Sequence, residues 1–128
     1  MDASLVIGGS LAGVGAGVVL GLPYAAARRL LRPPRRVGGW TPESLGFSYE
    51  DVEVSAPDGV VLRGWFVDRG ARATVLAIHG YTSSRWDETY MKPVIAVLAR
   101  GGFNVAAFDF RAHGASGGDY TTLGVREV

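Results

Sequence analysis

Thr74-Val75-Leu76-Ala77-Ile78-His79-Gly80-Tyr81 is the stretch on which the fold turns. Its first five residues are almost continuously apolar, as in a strand covered on both faces, and His79-Gly80 ends the run. On the C-terminal side, Tyr90, Met91, Val94, Ile95 and Leu98 recur at helical spacing, and Gly101 follows Arg100 as a stop signal. Pro93 marks the first turn of that helix or a kink in it. Asn104 to Phe108 (NVAAF) reads as a second buried strand, with Asp109 at its carboxyl end. Strand, helix and strand within about 35 residues make a βαβ unit with parallel strands. Ligands of such sheets sit beyond the carboxyl ends of the strands, so the loops after Ile78 and Phe108 are where a site is expected.

On the N-terminal side, Val52 to Ser55 and Val60 to Val67 read as two strands rich in β-branched and aromatic residues. Ala56-Pro57-Asp58-Gly59 between them is turn chemistry, so the pair predicts a β-hairpin entering the sheet. Thr41-Pro42-Glu43 offers an N-cap followed by proline, enough for one short helical turn. The segment Arg32-Pro33-Pro34-Arg35-Arg36-Val37-Gly38-Gly39 is a linker by composition, with arginines expected to stay solvated near lipid headgroups.

Further out, Leu5 to Leu22 runs 18 residues without a charge, and its one polar side chain is Ser10. At 1.5 Å per residue this is about 27 Å, and continuation through Ala27 crosses a hydrocarbon core of ~30 Å. The pattern predicts a single transmembrane helix in contact with lipid. Gly9, Gly13, Gly17 and Gly21 fall on one inclined ridge of it, a small-residue pattern that suits helix self-association. No Lys or Arg precedes the apolar run, whereas Arg28, Arg29, Arg32, Arg35 and Arg36 follow it. By the positive-inside tendency the C-terminal part is expected on the cytoplasmic side, and the absence of leading positive charge argues against a cleaved signal peptide. The organisation predicted is a membrane anchor over 1–27, a basic Pro/Gly linker over 28–47 and an α/β domain over 48–128.

Composition agrees with this division. The 128 residues are 48% hydrophobic with 19 Gly, and the mean hydropathy of +0.17 is too apolar for disorder. The net charge of +1 conceals the arginine cluster, because from Val37 onward there are 8 basic and 11 acidic residues, a net of −3. The basic charge is local, and no nucleic-acid partner is expected. Absence of cysteine removes disulfides, thiolate metal sites and cysteine nucleophiles.

Thr74 to Tyr81 (TVLAIHGY) and Phe108 to Gly118 (FDFRAHGASGG), in this order and separation, resemble the two leading signatures of the α/β-hydrolases. TPESLGFSYEDVEV and APDGVVLRGWFV also look like the lead-in of membrane-associated, serine-dependent members, so the resemblance covers roughly Thr41 to Val128. It implies the N-terminal half of an α/β-hydrolase sheet, hairpin plus βαβ, preceded by a transmembrane helix. It also implies hydrolysis of an ester, thioester or amide, with the particular acyl or peptide substrate left open, and no cofactor or metal. The backbone N–H of Tyr81 matches the family's oxyanion-hole donor, and losing one such donor typically costs ~10² to 10³ in rate. His79, Gly80, Asp109, Arg111, His113 and Gly114 match loop-shaping positions.

Gly114-Ala115-Ser116-Gly117-Gly118 formally satisfies the nucleophile pattern G-x-S-x-G. A nucleophile elbow sits directly between a buried strand and a helix, whereas here Asp109 to Ala115 intervenes, so Ser116 is expected to be a solvated loop serine. Asp109 and His113 are too near in sequence to converge as a triad, and hydrogen bonding within their loop is the expected role. Thr122 to Val128 looks like the start of a helix. By the resemblance, the nucleophile elbow, acid, catalytic histidine and cap lie beyond this stretch, and the strand at Thr74 to Ile78 has an open outer edge.

Two other functions compete with that of a hydrolase. A non-catalytic membrane or interaction protein would use the same segments without chemistry. A flavin-binding oxidoreductase fragment is suggested by Val6-Ile7-Gly8-Gly9-Ser10-Leu11-Ala12-Gly13, but only three apolar residues precede it and arginines occupy the expected acidic position.

Overall fold

A computed structural model describes residues 3–126, with side chains described from Gly17 onward. Two compact units are present, divided between Leu31 and Arg32. The first is one helix, α1 (Ala3–Leu31), with Pro23 in its interior and Arg28 and Arg29 in its last turn. Val6 to Gly13 therefore lies within helix, which leaves no strand and turn for a dinucleotide fingerprint. Gly9, Gly13 and most of the apolar run lie outside the residues whose side chains are described. Val19, Leu20 and Leu22 are exposed, and a Cβ at Gly17 or Gly21 would meet nothing within 4 Å. Among the described residues no helix is long and apolar enough to cross a membrane.

The second unit is a four-stranded sheet with one helix across it. Its elements are a 3-10 turn (Pro42–Leu45), β1 (Glu50–Ser55), β2 (Val61–Val67), β3 (Thr74–Ile78), α2 (Met91–Arg100) and β4 (Asn104–Phe108). The hairpin, the βαβ unit and the boundaries of β3 and β4 are those expected from the sequence. Strand order is β1-β2-β4-β3, with β2 antiparallel to β1 and β4, and β3 parallel to β4. This order and these directions match those expected for part of an α/β-hydrolase sheet. Thr41 adopts the extended N-cap conformation but makes no side-chain cap bond, and Gly46 closes the turn in the left-handed region.

Residues paired across the ladders face the same side, which sorts the side chains into two sets. On one face Trp65, Val67, Ala77, Val105 and Ala107 pack beneath Met91, Ile95 and Ala99 of α2, with Trp40 and Phe47 closing the end. Trp40, within the stretch assigned to the linker, is buried and donates its indole N–H to the Trp86 carbonyl at 2.9 Å. It meets Trp65 edge to face at 5.2 Å, and Trp86 meets Trp65 at 5.3 Å. On the other face Leu76 and Ile78 are more than half exposed. The expectation that β3 is covered on both faces is thus corrected, because α2 lies on one side only.

Three further expectations change. Arg35 is not left to solvent: its guanidinium donates to the carbonyls of Gly114, Ser116 and Gly118. Thr122 to Arg126 forms turns rather than helix, because Leu123 and Gly124 both take positive φ (51° and 97°). Ser116 is buried, for reasons given below.

Candidate active site

The loops that leave β3 and β4 at their carboxyl ends are joined by His79. Its Nε2 accepts the Phe110 N–H at 3.0 Å, and its Nδ1 lies 2.8 Å from the Gly80 carbonyl. An acceptor at one nitrogen and a carbonyl at the other require the neutral ring protonated on Nδ1. Burial is the chief cause holding the His79 pKa below its ordinary value, and His113, with ring centroids 5.1 Å apart, pushes the same way. The Gly80 carbonyl and the nearby Asp109 and Asp87 act in the opposite sense.

Gly80 and Tyr81 follow directly. The Ser83 N–H returns to the Gly80 carbonyl at 3.1 Å, and Thr82 sits at φ 64°, which makes this a tight turn held partly in the left-handed region. Tyr81 is 46% exposed, and its ring meets His113 edge to face. The turn borders an open cleft of about 480 Å³ reaching along α2 to Tyr90 and Val94, with Arg36 on its rim. That volume falls in the range of small-molecule sites.

Asp109 organises the second loop and is fully buried. Its Oδ1 accepts the Arg85 N–H at 2.7 Å and its Oδ2 accepts the Ala115 N–H at 3.0 Å, so one carboxylate pins both loops. The Arg85 guanidinium approaches Oδ2 at 3.6 Å and lies between Trp65 and Trp86, 4.8 and 4.0 Å from their ring centroids. Its Nε and Nη1 make no hydrogen bond, so the two aromatic faces and Asp109 carry its charge. Desolvation pulls the Arg85 pKa down, and Asp109 opposes that shift. Gly114 takes φ 46°, and a Cβ there would run into the Asp109 carboxylate, which explains glycine at this position.

The remaining predicted residues fall in the same network. Arg111 pairs with Asp58 of the hairpin turn at 2.6 Å, and this bond is the main cause lowering the Asp58 pKa. His113 Nδ1 lies 2.9 Å from the Arg111 carbonyl, while its buried Nε2 has no hydrogen-bond partner. Ser116 is 1% exposed; its Oγ donates to the Asp109 carbonyl at 2.6 Å and accepts the Arg63 N–H at 2.8 Å. It is a buried staple between β2 and the loop, not the solvated serine expected.

The structure thus brings His79, Gly80, Tyr81, Asp109, His113 and Gly114 together and pairs Arg111 with Asp58 of the hairpin turn. Sequence reasoning missed Arg85, Arg35 and Trp86. Their roles come from contacts with residues distant in sequence, and the one local hint was the order Arg85-Trp86 directly after the turn.

No family model matches the chain. It is 31% identical over 113 residues to the uncharacterized protein YfhR of Escherichia coli strain K12, covering 81% of this chain and 36% of that protein. Against YfhR of Salmonella typhi the identity is 31% over 106 residues, covering 76% and 33% respectively. Among solved structures it is similar to the esterase Pf2001 of Pyrococcus furiosus, with 59% identity and a TM-score of 0.73. That match covers 76% of this chain and 38% of the esterase chain. The chain therefore spans little more than a third of the relatives it matches.

Proposed function

We propose that this chain is the N-terminal part of a membrane-anchored α/β-hydrolase that cleaves an ester, thioester or amide bond. The nucleophile is a serine outside residues 1–128. The observation that carries the reading is the fixed turn at the carboxyl end of β3. His79 and Asp109 lock Gly80-Tyr81 against the second loop beside an open cleft, the preorganised setting that a backbone oxyanion donor at Tyr81 needs. Likeness to an esterase over this part supports it. Ser116 has both Oγ bonds committed inside the fold, which supports a nucleophile elsewhere.

The anchor is the apolar run from Leu5, with the hydrolase part on the cytoplasmic side, as the arginines from Arg28 to Arg36 favour. The glycine ridge supports pairing of two such helices.

A fluorophosphonate probe tests the catalytic part. Peptide mapping of the protein carrying the downstream region is expected to place the label on a serine beyond Val128, with residues 1–128 unlabelled. Labelling of Ser116, Ser83 or Ser84 would overturn the assignment. Protease accessibility in sealed right-side-out vesicles tests the topology, and a domain digested from outside them would refute the orientation.

A further inference from the structure

Five consecutive carbonyls, from Gly114 to Gly118, close the loop after β4, and their partners alternate. Arg63 Nη1 donates to the Ala115 carbonyl at 3.0 Å, and the Ala112 N–H donates to the Gly117 carbonyl at 2.8 Å. The carbonyls of Gly114, Ser116 and Gly118 instead converge on one guanidinium, that of Arg35, which belongs to the same compact unit. Gly114 and Gly118 lie in the left-handed region, at φ 46° and 87°, and Gly117 is a third glycine, so the segment has little conformational preference of its own to hold it. Three carbonyl dipoles brought to one point repel one another unless a cation or several donors stand among them, and Arg35 supplies both.

Each carbonyl shares a rigid peptide plane with the N–H of the next residue. The Gly114 carbonyl and the Ala115 N–H are one such unit: Arg35 donates to its oxygen at 3.3 Å, and Asp109 Oδ2 accepts its N–H at 3.0 Å. The Ser116 carbonyl and the Gly117 N–H are another, held by Arg35 on one side and by the Val61 carbonyl, at 2.7 Å, on the other. A peptide set between a guanidinium and a carboxylate is polarised by both, so each bond strengthens the other. From Asp109 the chain of bonds continues, because Oδ1 accepts the Arg85 N–H at 2.7 Å, at the end of the segment that begins with the Gly80-Tyr81 turn. His113, in the same loop, packs its ring against those of His79 and Tyr81.

We infer that Arg35 is a positioning residue for the candidate active site: acting through the 114–115 peptide and Asp109, it sets the second loop and with it the turn that carries the Tyr81 N–H. Its effect on rate rests on the hydrolase reading, whereas its effect on the two loops does not. The basic linker is then part of the working site and not a passive tether.

The protein carrying the downstream region is compared with its Arg35→Gln, Arg35→Lys and Arg32→Gln variants by mass-spectrometric hydrogen exchange and by hydrolysis of 4-nitrophenyl acetate. Expressing kcat per site titrated by fluorophosphonate removes misfolded enzyme from the comparison. Arg35→Gln is expected to speed exchange about tenfold in peptides covering 79–86 and 109–118 and to leave that of α2 unchanged. It is also expected to lower kcat about tenfold at nearly constant KM, since a displaced oxyanion donor is missed in the transition state. Arg35→Lys, which keeps the charge with fewer donors, is expected to recover part of both. Arg32→Gln, an equal loss of charge at an exposed position of the same cluster, is expected to change neither. Unchanged exchange in Arg35→Gln, an equal response to Arg32→Gln, or faster exchange with kcat intact would each overturn the inference. If the parent hydrolyses no ester and takes no phosphonate, the hydrolase reading fails, and exchange alone decides whether Arg35 sets the turn. If the parent is active and Arg35→Gln matches it in both measurements, the inference falls and the hydrolase reading stands.

Discussion

The two faces of the sheet are built from the same strands and have opposite fates. On the face under α2, Trp65, Val67, Val105 and Ala107 are each 2% exposed or less. On the other, Val54, Leu76 and Ile78 are 50%, 60% and 57% exposed, and Phe108, which lies over Gly64, is half-buried. A Cβ at Gly64 would come within 2.6 Å of the Phe108 ring. Apolar residues at consecutive positions of β3 are a sequence written for cover on both sides, and the described residues supply it on one. Among the described residues β3 is also an edge strand of the sheet, so the bare face and the edge meet in it.

The covered face ends in the site, and the sharpest way to break the contrast is there. Asp109→Ala removes the acceptor of two backbone N–H groups and leaves the Arg85 charge buried between tryptophans. A loss of about 3–5 kcal/mol is expected in urea unfolding followed by tryptophan fluorescence. A loss below ~1 kcal/mol would mean that Arg85 reaches water.

The faces themselves are compared by one truncation on each. Ile95→Ala on α2, where the side chain is fully buried, is expected to cost about 2–5 kcal/mol. Leu76→Ser on the bare face is expected to change stability by no more than about 0.5 kcal/mol and to improve solubility. Equal costs would show that the second face is covered in solution. Ser116→Ala, which strands the Arg63 N–H, should cost about 1–3 kcal/mol.

The covered half of this contrast was legible in the sequence, and the bare half was not. The β-branched and aromatic residues of Val52 to Ser55 and Val60 to Val67, the apolar runs at Thr74 and Asn104 and the periodicity from Tyr90 located the strands and the helix, since local pattern and final packing agree there. Apolarity on both sides of β3 was read correctly as a strand suited to two-sided cover, but a run of residues does not reveal whether a cover is at hand. In the site, the resemblance singled out Asp109, His79 and Gly114 as loop-shaping positions, and in the structure the first two bond across the two loops while Gly114 packs against the Asp109 carboxylate. Arg85 and Arg35 were not, because a buried arginine between two rings, or one bound to the carbonyls of residues 114, 116 and 118, leaves no periodic trace. Ser116 was expected to be a solvated loop serine, and the structure instead buries it with its Oγ bonded to the Asp109 carbonyl and the Arg63 N–H, partners too far off in the fold for the loop sequence to show.

The smallest expected effect distinguishes the two loops rather than the two faces. His79 serves as an acceptor toward Phe110 only while neutral, and its folded pKa lies below the ordinary value of about 6.5. The stability it contributes is therefore complete above the unfolded pKa and declines as pH falls from about 6.5 toward the lower folded value. Protonation would set an Nε2–H against the Phe110 N–H and release the Gly80-Tyr81 turn from the second loop. The His113 ring lies 5.1 Å from the His79 ring, Asp109 Oδ1 lies 4.0 Å from its Nε2, and Asp87 also acts on it. His79→Phe is expected to lower stability near neutral pH and to flatten its dependence on pH between about 7 and 5, measured as urea unfolding free energy. If the variant's curve were as steep as the parent's, the acid sensitivity would belong to other groups, and His79 would hold the turn by packing alone.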